Sequence, residues 1–205
     1  MKGVFVTGTD TGVGKTFVAC AIVRAARAAG HAVFAFKPIE TGCVNGGFGP
    51  DQEALAEAAG SVPCGTYRLA MPVAPLVAAR AQGVEIDLER VHRDLDVGGR
   101  HADYVVVEGA GGWRVPITET TDTSHLARRT ELQILVVAKA GLGTINHSAL
   151  TVEAIRRDGL VPVGVVLSVG PAEPEFRSSN AAEIHRLTGV QVWSAVAALL
   201  ADLFP

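Results

Sequence analysis

The residues best able to do chemistry lie near the start of the chain, in GTDTGVGKT at positions 8–16. An apolar run precedes them and an Ala-rich stretch follows, so the segment reads as a turn between a strand and a helix. Glycines allow backbone N–H groups to turn inward around phosphate oxygens, and the start of the following helix adds partial positive charge. In such a loop Lys15 reaches the β- and γ-phosphates and the Thr16 hydroxyl ligates magnesium. The common spacing is GxxxxGK[ST]. Counted back from Gly14, its first glycine position holds Thr9 and Gly8 sits one residue earlier, which makes this a variant loop. A glycine-rich turn with an accidental lysine is the plain alternative. The order strand, glycines, Gly-Lys-Thr and helix argues for phosphate binding instead.

Other charged residues fall at strand ends, where open parallel sheets bind ligands. Lys37 closes an apolar run in FKPIETG, from where it can stabilise charge on a transferring phosphoryl group. The alternative is a solvated lysine ending an edge strand; Pro38 argues for a fixed turn. Glu108 follows four apolar residues and precedes GAGG. It occupies the place of the acidic magnesium ligand of phosphate-loop enzymes, and a carboxylate there is costly without a cation. The alternative is a capped strand-end glutamate. Asp51, just after Pro50, is either a helix N-cap or a further magnesium ligand, and Glu53 is its rival. In GLGTINH, residues 141–147, free N–H groups at a helix start can receive a carboxylate. On the residues alone the plainer reading is preferred: a glycine turn capped by Thr144 or Asn146.

Stepping outward, short β-branched runs alternate with longer Ala-rich stretches. Strands are predicted over residues 4–7, 32–37, 104–108, 134–138, 163–168 and 190–192. Helices are predicted over 16–29, 52–59, 74–81, 87–95, 123–129, 146–157 and 179–187, with residues 43–50 as the least ordered loop. The strands are continuous apolar runs, as expected when both faces are covered, and intervening helices imply parallel crossovers. The expectation is one α/β domain over residues 1–205, P-loop NTPase-like, with a mainly parallel sheet and helices on both faces. At 205 residues and 48% hydrophobic, one substantial core fits. A net charge of −3 without a basic stripe argues against nucleic acid as a partner. No run approaches the ~20 apolar residues that span a bilayer. Cys20, Cys43 and Cys64 match no disulfide or metal spacing, and no signal peptide is evident, so a cytoplasmic, membrane-free protein is expected. The histidines lack metal-ligand spacing. Trp113 reads equally as pocket lining or packing.

Four segments together, GTDTGVGKT at 8–16, KPIETG at 37–42, VEGAGGW at 107–113 and LGTINH at 142–147, resemble the dethiobiotin synthetases. The likeness runs from Lys2 to about Ser168. It implies an ATP-dependent enzyme of biotin biosynthesis that carboxylates a diaminononanoate and closes its ureido ring. One amine takes up carbon dioxide, the carbamate attacks the γ-phosphate, and the second amine expels phosphate from the mixed anhydride. The resemblance places ATP on Gly12, Val13, Gly14, Lys15, Thr16 and Phe17, with Ser168 beside the base. It places magnesium on Thr16, Asp51 and Glu108. Thr11, Lys15 and Lys37 are implied at the reacting groups. Thr41, Gly111, Gly143, Thr144, Ile145 and Asn146 are implied, with Thr11 and Lys37, around the diamine. A homodimer is also implied, in which residues 143–146 receive the substrate carboxylate of the neighbouring subunit.

The sequence departs from the family in three places. Gly12 replaces a frequent glutamate, Ser168 replaces an asparagine, and the tail VWSAVAALL lacks a Gly-x-Ile-Pro turn near the base. A serine hydroxyl cannot donate to and accept from an adenine edge at once as an amide does, so other nucleoside triphosphates are expected to be admitted. Two other functions compete with this reading. A partition- or septum-type regulatory ATPase carries a second lysine in its phosphate loop, where this chain has Thr9-Asp10-Thr11. A cobyrinate-type amide synthetase appends a further domain, for which this length leaves no room.

Overall fold

The computed structural model describes residues 2–168 and 174–204. Its strands are β1 (Gly3–Gly8), β2 (Val33–Phe36), β3 (Ile39–Thr41), β4 (Tyr67–Leu69), β5 (Tyr104–Gly112), β6 (Gln133–Ala138), β7 (Pro162–Leu167) and β8 (Gln191–Trp193). Its helices are α1 (Lys15–Ala28), α2 (Pro50–Ala59), α3 (Pro75–Gln82), α4 (Leu88–Gly99), α5 (Thr123–Thr130), α6 (Thr144–Arg157), α7 (Pro174–Thr188) and α8 (Val196–Leu203). Six strands form one sheet in the order β2-β5-β1-β6-β7-β8, all paired in parallel. A second, two-stranded parallel sheet pairs β3 with β4.

Alternate residues of the buried strands feed two cores. Phe5, Val105 and Val107 face a layer containing α3, α4, α5, α6 and α7. Val4, Val6 and Val106 face α1, α2 and α8. Helices therefore cover both faces of a mainly parallel sheet, as the apolar runs predict. Among the described residues, no helix is long and apolar enough to cross a membrane.

Several elements differ from the sequence expectation. β5 continues four residues past Glu108 because Gly112 still pairs with Gly8, across a register shift in β1 between Val6 and Gly8. β3 and β4 were not expected. Each has three residues, and their pairing is set up by the Pro38 carbonyl, which accepts from the Thr66 and Tyr67 amides. α7 begins at Pro174, five residues early. The tail forms α8, anchored by the fully buried Leu199 and by Trp193 Nε1 donating to Asp202 Oδ2 at 2.6 Å. Within 43–50, Val44–Gly46 makes a 3-10 turn with Asn45 at φ 53°.

Candidate active site

The loop after β1 is shaped by glycines that no other residue replaces cheaply. Gly12 at φ 71° and Gly14 at φ 92° take the left-handed conformation, and Gly14 is the N-cap of α1. With no side chain on the cap, the first amides of α1 stay free to face a ligand. Lys15 is buried and its Nζ donates back across the loop to the Asp10 carbonyl at 2.8 Å. Burial and the nearby Lys37 charge push its pKa down from 10.5 to about 8, although Glu108, Asp51 and Asp10 pull the other way.

Three elements bring the remaining charges together. Lys37 lies just past β2, an edge strand, yet only 4% of it is exposed. Its ammonium is 2.7 Å from Glu108 Oε1 and 3.0 Å from Asp51 Oδ2, and it donates to the Gly109 carbonyl at 3.1 Å. Three acceptors match the three protons of an ammonium. Burial works against that charge, but the two carboxylates outweigh it and hold Lys37 above its ordinary pKa. Thr16 Oγ1 sits 2.8 Å from Asp51 Oδ1 and 2.9 Å from Glu108 Oε1, so one hydroxyl proton faces two acceptors. Against its half-burial, Lys37 and Thr16 keep the Asp51 carboxyl below its ordinary pKa. Glu108 is pushed up by complete burial, which Lys37 only partly offsets. Glu53, the rival of Asp51, is exposed and faces away from this group.

The oxygens suit a hard divalent cation. Among the described residues Glu108 Oε2 is buried without a hydrogen-bond partner, which is costly for a carboxylate oxygen and is relieved by a cation beside it. Two carboxylates and a hydroxyl make a sparse all-oxygen set, the kind magnesium uses while keeping waters and substrate phosphate. Among the described residues, no cluster of three His, Cys, Asp or Glu side chains offers another metal site.

A cavity of about 580 Å³ opens over these groups, lined among others by Thr11, Gly12, Gly14, Lys15, Thr16, Lys37, Thr41, Asp51, Glu108 and Gly111. Gly111, at φ 61°, leaves room there; a Cβ on it would meet the Val115 side chain at 2.6 Å. Thr144 lines a second cavity, about 330 Å³, on the other side of the phosphate loop with Lys139 and His147. Gly143 is the N-cap of α6 at φ 90°, with neither Thr144 nor Asn146 as cap, and Ile145 and Asn146 follow in its first turn. None of residues 143–146 lines the first cavity. Val13 packs in the α1-side core, Phe17 is exposed, and Ser168 is buried with its hydroxyl unpartnered among the described residues.

Sequence reasoning missed two groups that support the site. Glu40 and Gln52, both buried, bind the start of α2 to the Lys37 strand end. Asp158, at the end of α6, accepts from Trp113 Nε1 at 2.7 Å and from Arg114 Nη2 at 2.9 Å, holding the chain just past the GAGG segment. The only signal for either was a charged residue inside a quoted motif or at a helix end.

The family model described as an AAA domain matches residues 2–200. An ATP-dependent dethiobiotin synthetase of Anaeromyxobacter dehalogenans is 53% identical, with 92% of this chain and 86% of that protein covered. One from Nitrosospira multiformis is 42% identical, with 91% and 84% covered. Among solved structures, the MinC:MinD cell division complex of Aquifex aeolicus aligns with a TM-score of 0.58 at 13% identity, covering 94% of this chain and 79% of that one. At that identity the likeness concerns the fold alone.

Proposed function

The chain belongs to the ATP-dependent dethiobiotin synthetases, and from that premise we propose that it closes the ureido ring of dethiobiotin from 7,8-diaminononanoate, carbon dioxide and ATP. One observation carries the assignment of parts: Lys15, Thr16, Lys37, Asp51 and Glu108 meet at one cavity past the carboxyl ends of β1 and β2 and beside the second half of β5. Phosphoryl transfer needs positioning and charge stabilisation more than a protein nucleophile. In this reading the amides of Gly12, Val13 and Gly14 and the Lys15 ammonium hold the phosphates, with Phe17 flanking the nucleotide. Thr16, Asp51 and Glu108 would hold magnesium, which would supply positive charge to neutralise the phosphates. Thr11, Thr41 and Gly111 align the diamine. One amine adds to carbon dioxide and loses a proton, and the carbamate oxygen then displaces ADP from the γ-phosphorus. The second amine attacks the carbonyl carbon, and phosphate and a proton leave. Lys37 neutralises the transferring phosphoryl group throughout.

The start of α6, where Asn146 is exposed and Thr144 buried, belongs in the same reading to a homodimer in which Gly143, Thr144, Ile145 and Asn146 receive the substrate carboxylate of the neighbouring subunit. Their exclusion from their own subunit's first cavity and the fully exposed Leu142 support it. The test of the activity is phosphate release with diaminononanoate and bicarbonate, each omitted in turn; release that ignores the diamine defeats the assignment.

Base recognition is the point of difference. Ser168, buried with its hydroxyl closed off from solvent, stands where the family has an asparagine beside the base, and the loss of a hydrogen-bond pair is worth about 1–3 kcal/mol. The expected outcome is comparable kcat/KM for ATP, GTP and CTP; an ATP preference above roughly a hundredfold, the size that a retained pair at the upper end of that energy gives, rejects it.

A further inference from the structure

The start of α2 is held by side chains to which the reaction assigns no part. Its N-cap is Gly49, which has no side chain to bond the orphan amides of the first turn. Glu40 supplies that bond from β3. Its Oε1 accepts from the Asp51 amide and its Oε2 from the Gln52 amide, each at 2.8 Å. Gln52 in turn donates from Nε2 to the Lys37 carbonyl at 3.1 Å. With the Lys37–Asp51 ion pair at 3.0 Å, these contacts close a ring that ties the strand end to the helix start through both backbone and side chains. A carboxylate buried to 3% exposure is tolerated here because both oxygens are bonded and the helix start favours negative charge.

The glycines around this ring show how little room it has. A Cβ at Gly49 would lie 2.2 Å from the Glu40 carboxyl carbon, although its φ of −87° suits any residue. A Cβ at Gly65 would lie 2.0 Å from Gln52 Nε2 and 2.4 Å from the Lys37 carbonyl oxygen.

We infer that Glu40 is a positioning residue: by bonding the Asp51 and Gln52 amides it fixes the first turn of α2, so that the Asp51 carboxylate meets Thr16 and Lys37, and thereby sets the site's affinity for its divalent cation without touching the cation. The inference rests on the reading of Asp51 as a cation ligand. Without Glu40 two amides face a buried space with no acceptor, the first turn frays, and the half-buried Asp51 loses its fixed distance to Thr16.

The test measures binding of a non-hydrolysable ATP analogue by calorimetry across magnesium concentrations, together with amide hydrogen exchange at Asp51 and Gln52. Glu40→Ala is expected to raise the magnesium midpoint about tenfold, the usual effect of removing a group that orients a ligand. Analogue affinity at saturating magnesium stays the same, and exchange at the two amides speeds up. Gly49→Ala, which displaces the carboxylate without removing it, gives the same shift alone and no further shift in the Glu40→Ala background, where the methyl group has room. A folded Glu40→Ala protein with the wild-type midpoint overturns the inference, as does an equal Gly49→Ala shift in both backgrounds. If Glu40→Ala does not fold, Gly49→Ala alone decides, and an unchanged midpoint overturns. Asp51→Asn separates the two layers. If it leaves the midpoint unchanged, Asp51 is no cation ligand and both readings fall; if it shifts the midpoint while Glu40→Ala does not, only the role of Glu40 falls.

Discussion

Lys37 contributes to both folding and turnover, and the two contributions separate by experiment. Removing it leaves Glu108, fully buried, and Asp51 without their shared cation. Breaking a buried pair in this way costs about 3–5 kcal/mol of stability. Lys37→Ala is therefore expected to melt at a lower temperature, and magnesium is expected to restore part of the loss. Turnover falls by about 10²–10³, the usual effect of removing a group that stabilises transition-state charge. Steady-state phosphate release reads the second effect and calorimetry the first; wild-type turnover in the variant would leave Lys37 a structural role only. Lys15 behaves differently because burial and Lys37 lower its pKa to about 8. Between pH 8 and 10.5 the folded site sheds this proton while the unfolded chain keeps it, so this group's contribution to stability rises across that window. Over the same window the ammonium that faces the triphosphate disappears. ATP-analogue affinity should fall by up to about tenfold per pH unit above pH ~8. Calorimetry from pH 7 to 9.5 that finds a flat affinity removes Lys15 from the phosphate contacts.

At the scale of the elements, close packing decides what is tolerated. Gly98 of α4 rests on the Phe34 ring of β2, where an added Cβ would approach ring carbons to 2.2 Å. Gly98→Ala is expected to destabilise by about 1–3 kcal/mol, as overpacking does, and a urea midpoint equal to wild type refutes that contact. Most of the elements were legible because their signals are local. The apolar runs of β1, β5, β6 and β7 need no partner to be recognised, and Gly30 and Gly60 end α1 and α2 where the pattern stops. β3 and β4 were not legible, since three residues carry no period and their pairing depends on Pro38 and chain more than twenty residues away. α8 was hidden for a related reason: its apolar residues find α1 only in three dimensions. The same contrast holds in the site. Lys15 and Thr16 are read from one short motif, and Lys37 and Glu108 from strand ends. The Glu40 bonds to α2 arise only when the chain from 39 to 52 folds back on itself. The choice between Asp51 and Glu53 turned on helix phase: one faces Thr16 and the other faces outward.

For the whole molecule, the two cores share one sheet, which predicts one cooperative unit. Trp113 lies in one core and Trp193 in the other. Fluorescence dominated by these rings and far-UV circular dichroism should trace a single urea transition with one midpoint. Two separated midpoints would divide the chain into independently stable parts. The six-stranded sheet has a further consequence through its direction. Because all its strands run the same way, the phosphate loop, Lys37 and Glu108 all emerge at one rim, and the rim where the strands begin carries none of these groups. Val161, just before β7, is 74% exposed on that silent rim, whereas Cys20 and Cys43 are buried and Cys64 is half-buried. A thiol handle engineered at Val161 would tether the molecule to a sensor chip with its reactive face turned to the solution, orienting every copy alike.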